Sequence, residues 1–333
     1  MTVKTANAYS CSVVVPVYNS ERTLSELLSR LGQVLPTLSS IYEVILVNDA
    51  SRDRSWEVIC QLVQSYPCVR GINLMRRYGQ HNALLCGIQA AKYEVIVTVD
   101  DDLQHPPEEI PQLLDKLAEG YDVVYGKPSE RSHTTWRNIT SKVLKTVLQV
   151  VLGVEMARHS SAFRAFRSSV RSGFEHFTDP NLSIDVLLSW CVERVTHVTV
   201  EHHGRREGKS GYGFGELVKL AFNILTGYST LPLRIASALR LLTSLVGVSM
   251  FLFVVIRRLL QTEYVPGFAF IASEIALFAG LQLFAIGVIC EYLARLHFRT
   301  MGKPAYVIRE TVGQDSLVDR KRSYFIRKEV EKQ

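Results

Sequence analysis

The chain has 333 residues, of which 47% are hydrophobic and 21% charged, with a formal net charge of +6. That length is roughly twice a single domain of typical size, and the hydrophobicity excludes an intrinsically disordered chain. The basic excess is modest and falls late in the sequence, which suits an anionic membrane face better than a nucleic-acid groove, so no nucleic-acid partner is expected. Residues 1–10 are polar and lack the apolar run of a signal peptide, which predicts a reducing, cytosolic setting for the first two-thirds. Cys11, Cys60, Cys68, Cys86, Cys191 and Cys290 have no regular spacing and no C-x-x-C pair. They are expected to be free thiols rather than disulfide or zinc partners.

Strand and helix signals alternate through the first half. Apolar, β-branched runs occur at Ser12–Val17, Glu43–Asn48, Val69–Leu74, Glu94–Val99 and Asp122–Tyr125. Between them lie helix-length segments at Leu24–Leu35, Trp56–Ser65, Gln80–Ala91 and Pro107–Glu119, the last opened by Pro106-Pro107 and closed by Gly120. Hydrophobic strands separated by crossover helices predict an α/β fold with a mostly parallel, Rossmann-like sheet covered on both faces.

After Leu231 the texture changes. Ile235–Ile256 carries one charge, Arg240, and Phe268–Tyr292 is apolar apart from Glu274, Gln282 and Glu291. Each is long enough for a hydrocarbon core that takes about 20 helical residues, so a two-helix transmembrane hairpin is predicted. Glu274 is expected to face another helix, at a subunit contact. Arg205, Arg206, Lys209, Lys219 and Arg234 precede the hairpin and Arg295, Arg299, Lys303 and Arg309 follow it, while the connection holds only Arg257 and Arg258. The excess places both termini and the main domain in the cytoplasm. The expected organisation is a main domain over 1–215, an interfacial amphipathic helix over 216–233, the hairpin over 234–293 and a basic tail over 294–333.

Ligands of open α/β sheets bind beyond the carboxyl ends of the strands. The turn after the first strand, Pro16-Val17-Tyr18-Asn19, has no glycine, which argues against a dinucleotide fold. Gly208-Lys209-Ser210 lacks the earlier glycine of a P-loop, because His203 stands there. The sheet offers carboxylates instead: Asp49, Ser51 and Asp53 after the second strand, and Asp100, Asp101, Asp102 and Gln104 after the fourth. Three adjacent acids at a strand tip are unfavourable unless a cation joins them, and hard oxygen donors suit Mg2+ or Mn2+ held together with a substrate diphosphate. His81, His105, His202 and His203 are read as ordinary polar contacts.

Pro16-Val17-Tyr18-Asn19, Val47-Asn48-Asp49-Ala50-Ser51-Arg52-Asp53 and Val99-Asp100-Asp101-Asp102-Leu103-Gln104 resemble the motifs of family 2 glycosyltransferases with the GT-A fold. Arg76-Arg77-Tyr78-Gly79-Gln80-His81, His105-Pro106-Pro107-Glu108-Glu109 and the apolar hairpin narrow this to the polyprenyl-phosphate glycosyltransferases, relatives of dolichyl-phosphate mannose synthase and of undecaprenyl-phosphate glucosyl and aminoarabinosyl transferases. The resemblance implies that Pro16, Tyr18, Asn19, Asp49 and Ser51 hold the nucleoside part of the donor. It implies that Asp100, Asp102 and Gln104 surround the cation, and that Arg164, Arg167 and Tyr212 meet the acceptor phosphate. Arg205, Gly208, Ser210 and Tyr212 match a loop that closes over both phosphates. Asp101 or Asp102 is the candidate base. Ser20, Ala162 and Gly211 depart from the family pattern, where Glu, an acid and Lys are usual.

The implied activity is inverting transfer of one sugar from a nucleotide-sugar, a UDP-sugar by likeness to the bacterial members, to undecaprenyl phosphate at the cytoplasmic membrane face. Its product would serve cell-envelope glycan or lipid modification, and a homotetramer is implied by resemblance. A processive polysaccharide synthase is the second enzymatic reading, although Ser189-Trp190-Cys191 lacks the Q-x-x-R-W pattern of that class. An inactive nucleotide-sugar-binding protein is the non-enzymatic one.

Overall fold

In a computed structural model of the chain, the described residues are 9–128, 161–174, 177, 182–201, 230–260 and 267–313. They fall in two compact units, one within Met1–Tyr212 and Lys303–Gln333, the other within Gly213–Gly302.

The first unit is built on an eight-stranded sheet. Its strands are β1 (Cys11–Val17), β2 (Tyr42–Asn48), β3 (Val69–Leu74), β4 (Val95–Thr98), β5 (Val123–Pro128), β6 (Arg164–Arg167), β7 (Val195–Val200) and β8 (Ile308–Val312). The spatial order is β7-β5-β6-β4-β1-β2-β3-β8. β1 pairs in parallel with β2 and β4, β2 with β3, and β5 with β7. β6 runs antiparallel between β4 and β5, and β8 antiparallel on β3. The sheet is therefore mostly parallel, as expected, with one antiparallel strand inserted and another at its edge.

Alternation along the strands divides the core. Val13, Val15, Val17, Leu46, Val95 and Val97 join the cluster that also holds the apolar stripe of α1 (Leu24–Leu38), namely Leu24, Leu27, Leu28, Leu31 and Leu35. Those positions recur three and four apart, so one helical face carries them all. α2 (Ser55–Ser65) and α4 (Ile110–Ala118) add Ile59, Ile110, Leu113, Leu114 and Leu117 to the same cluster. Against the other side of β1 and β2 lies α3 (Gln80–Ala90), whose Gly87 permits close approach: a Cβ there would stand 2.3 Å from Val14 Cγ1. α5 (Ile184–Cys191) buries Ile184, Val186, Leu187 and Leu188.

Within the segment expected as a basic tail, 294–333, β8 is a strand of the sheet. Ile308 and Val312 interrupt the charges at Arg309 and Glu310, and β3 offers an open edge whose buried N–H and C=O groups need partners. The register aligns Gly71 with Val312 and Asn73 with Glu310.

The second unit holds α6 (Leu231–Leu260) and α7 (Phe268–Thr300), both longer than the predicted spans of 235–256 and 268–292. Among the described residues one segment, Leu231–Ser249, is long and apolar enough to cross a membrane, and Phe278–Ala294 is a shorter apolar stretch. Large side chains stand exposed on both helices, including Leu241, Leu245 and Phe253, and Ile275, Leu283 and Leu293. The expected interfacial helix over 216–233 lies outside the described residues except for its last four positions.

Candidate active site

The carboxyl ends of β1, β2, β3 and β4 share one edge of the sheet, with Val17 level with Asn48, Asn48 with Asn73, and Val14 with Thr98. Three non-glycine residues in the described structure hold left-handed backbone angles: Asn19 (φ 56°), Ala50 (φ 50°) and Leu103 (φ 57°). They lie in the loops that leave β1, β2 and β4. Such angles cost of order 1 kcal/mol or more and persist where the surroundings fix them, typically at ligand sites.

Acidic side chains do the fixing. Asp101 Oδ2 accepts the Tyr18 backbone N–H at 3.0 Å and also the Ser20 hydroxyl. Asp49 is 3% exposed, and its oxygens accept the N–H groups of Tyr78 at 2.6 Å and Gly79 at 2.8 Å. Gly79 has φ 95°, which a side chain would strain, and it opens α3. The Asn19 N–H donates to Ser51 Oγ at 3.0 Å, and Asn19 Oδ1 accepts the Arg52 N–H at 2.8 Å. Burial pushes the Asp49 and Asp101 carboxyls above the usual carboxylate range, opposed at Asp49 by the Tyr78 and Gly79 N–H groups and at Asp101 by the Ser20 hydroxyl and the Tyr18 N–H. Asp53 goes the other way: burial would raise it, but hydrogen bonds from Ser55 and the Glu21 N–H hold it lower.

Asp100 and Asp102 flank the inward-tied Asp101 and are half-buried. Asp100 Oδ1 accepts the Gln80 amide at 2.8 Å, and Asp102 Oδ1 accepts the Gln104 N–H at 3.1 Å. Gln104 thus meets Asp102 through its backbone. Among the described residues no three His, Cys, Asp or Glu side chains form a closed metal cage. Two carboxylates with hard oxygens on one strand end do fit a Mg2+ or Mn2+ ion that takes its remaining ligands from water and a diphosphate.

The predicted acceptor arginines separate. Thr98 of β4 is level with Arg164 and Val95 with Arg167, so the two guanidinium groups lie at opposite ends of β6. Arg164, 1% exposed, pairs with Asp185 at 2.5 Å and donates to Thr98 Oγ1 at 3.3 Å. Tyr125 donates to the same Asp185 oxygen at 3.2 Å. Burial disfavours the Arg164 charge, yet Asp185, Tyr125 and Asp100 outweigh it and hold the cation. Arg167 pairs instead with Glu94 at 3.4 Å, at the edge away from the crevice. Arg205, Gly208, Ser210 and Tyr212 lie outside the described residues.

Sequence reasoning gave no role to Arg77, Gln80 or Asp185. Arg77 covers the Tyr18 ring at 4.0 Å, and Gln80 meets Asp100. Asp185 was legible only as the one charged residue in the helix Ile184–Cys191.

The family model described as glycosyl transferase family 2 matches residues 12–173, which span every described loop of this site. An undecaprenyl-phosphate 4-deoxy-4-formamido-L-arabinose transferase of Shewanella sediminis is 34% identical over 302 residues, covering 90% of this chain and 91% of the relative. Proteins of the same name from Edwardsiella ictaluri and Pseudomonas aeruginosa are each 33% identical over 304 residues. The chain belongs to glycosyl transferase family 2. As a member of that family it is a glycosyltransferase with a GT-A type α/β fold. Among solved structures, a Mycobacterium tuberculosis glucosyl-3-phosphoglycerate synthase aligns with TM-score 0.48 at 18% identity, over 66% of this chain and 79% of that one.

Proposed function

We propose that this glycosyltransferase moves a single sugar from a nucleotide-sugar, a UDP-sugar, onto undecaprenyl phosphate at the cytoplasmic face of a membrane. The observation that carries the reading is the convergence of Asp49, Asp100, Asp101 and Asp102 at one crevice, beside the buried cation of Arg164. The names of relatives that match over nine-tenths of the chain support the acceptor, and the exposed apolar surface of α6 and α7 supports a membrane setting. Those names also put 4-deoxy-4-formamido-L-arabinose first among sugars to test.

The chemistry asks little of a base. An oxygen of the lipid phosphate attacks the anomeric carbon from the face opposite the diphosphate. The carbon–oxygen bond to the diphosphate breaks, its electron pair leaves with the nucleotide, and the configuration inverts. A phosphate with a second pKa of about 6 is largely ionised at neutral pH, so it needs positioning and charge neutralisation instead of deprotonation. Arg77 with Tyr18 forms a cationic, aromatic wall beside the loop that Asp101 holds, and Arg164, closed against Asp185 near Asp100, braces that end of the sheet. Asp101, occupied with Tyr18 and Ser20, acts by positioning that loop. A bound Mg2+ or Mn2+ would be held by Asp100 and Asp102 and would neutralise charge on the departing diphosphate.

The test incubates membranes containing the full chain with undecaprenyl phosphate and a panel of UDP- and GDP-sugars, with Mn2+ or with excess EDTA. Sugar on the lipid, lost in EDTA, is expected. Free sugar with no lipid product would overturn the acceptor, and full turnover in EDTA would overturn the metal.

A further inference from the structure

An unbroken line of side-chain hydrogen bonds joins β8 to the loops of the crevice. Asn73 Nδ2 donates to Glu310 Oε1 at 2.9 Å. Asn73 Oδ1 accepts from Asn48 Nδ2 at 2.9 Å. Asn48 Oδ1 in turn accepts the Ser51 hydroxyl at 2.6 Å and the Ser51 N–H at 3.3 Å. Ser51 Oγ then accepts the N–H of Asn19, one of the left-handed residues, at 3.0 Å. A second tether runs beside the first. The Met75 N–H donates to the Val307 carbonyl at 2.9 Å, and the Arg309 guanidinium donates to the Met75 carbonyl at 3.0 Å, directly before the Arg76–Gly79 loop that Asp49 holds.

The line has a polarity, and Glu310 sets it. An ionised carboxylate only accepts hydrogen bonds, whereas an asparagine amide has a donating and an accepting end. With a carboxylate at the outer end, Asn73 must present its NH2 outward and its oxygen to Asn48. Asn48 must then present its oxygen to Ser51, and the Ser51 hydroxyl, spending its proton there, keeps a lone pair for Asn19. A donor at position 310 would ask every amide to reverse, and the last reversal fails because it would turn the Asn48 NH2 toward the Ser51 N–H, which cannot become an acceptor. Glu310 is exposed while Asn48 and Asn73 are 2% and 6% exposed, so the outer end of the line is open to substitution without disturbing the core.

We propose that Glu310 is a positioning residue for the transfer reaction. Its carboxylate orients Asn73 and Asn48 and so holds the Asn19 and Ser51 loops in their donor-binding form. The β8 strand is then a working part of the catalytic unit. This rests on the reading of those loops as the nucleotide-sugar site.

The test compares the full-length chain with its E310Q, E310K and T311V variants. Thr311 Oγ1 is buried without a hydrogen-bond partner, so valine at 311 alters the same strand and leaves the line intact. Amide hydrogen exchange of residues 18–21 and 49–53 is measured without any donor, and kcat and KM with the donor that turns over. E310K should speed exchange in both loops and raise donor KM, each by about tenfold, with kcat within about twofold. E310Q, whose amide oxygen still accepts, should come within about threefold of the unaltered chain, and T311V should match it. Unchanged loop exchange in E310K, or equal effects of T311V and E310K, would overturn the proposal. If E310K loosens the loops but the unaltered chain turns over no sugar in the panel, the orienting role stands and the assigned reaction falls.

Discussion

At the amino ends of β1, β2 and β3, Glu43 and Arg70 are 5% and 6% exposed and meet at 2.8 Å. The Ser12 hydroxyl and the Lys92 N–H also donate to Glu43, at 2.7 and 2.8 Å, and Arg70 reaches the Ala90 carbonyl. At the carboxyl ends, Asp49 and Asp101 are satisfied differently, by backbone N–H groups of the neighbouring loops. A carboxylate closed against a guanidinium cancels charge and braces the sheet. A carboxylate that accepts loop N–H groups sets loop shape and leaves its negative charge standing in the crevice, where Asp100 and Asp102 add to it. The same residue type thus acts as a brace at one end and shapes the site at the other.

The sharpest way to break this contrast is Asp102→Asn. The amide oxygen still accepts the Gln104 N–H, so the loop stays formed while the charge goes. Turnover should fall about 100-fold or more, with little change in thermal midpoint. Undiminished transfer by radiolabelled assay, or a large loss of stability, would make the two ends alike. Next comes Glu43→Ala, which leaves the Arg70 charge buried and alone and should cost about 3–5 kcal/mol in denaturant unfolding. Turnover per folded molecule should hold, and a Glu43→Leu, Arg70→Met pair should recover most of the loss.

The sequence carried much of the first unit because its first five strands are rich in apolar and β-branched residues and bounded by turn residues. Val69–Leu74 was placed to the residue, and Leu24, Gln80 and Gly120 marked ends that the structure keeps. β6, β7 and β8 were not among the expected strands. Arg164–Arg167 has only four residues, two of them charged, and Ile308–Val312 is stabilised by an edge more than two hundred positions earlier. The acids of the crevice announced themselves by position, but their division of labour did not. Spacing does not reveal that Asp101 turns to Tyr18 while Asp100 meets Gln80, or that Asp185 pairs with Arg164. Left-handed angles at Ala50 and Leu103 had no sequence signal, since neither is glycine or asparagine.

The cluster around Arg164 sharpens the comparison further, because it lies at the crevice end but is closed like the pair at the other. His81 stands in it, and its Nδ1 accepts the Ile184 N–H at 3.4 Å, which requires the unprotonated ring. Burial holds the His81 pKa below its usual 6.5, Asp185 opposing and Arg164 adding to the effect. A depressed folded pKa means that the stabilisation is fully present above pH 6.5 and is lost as pH falls through the folded value. Thermal midpoints should therefore decline on acidification below pH 6.5, and His81→Gln, whose amide oxygen can accept the same N–H, should flatten that decline. If the cluster is a brace, the pH profile of kcat should keep its shape in the variant. A shifted kcat profile with an unchanged stability profile would instead assign His81 to the chemistry of the crevice.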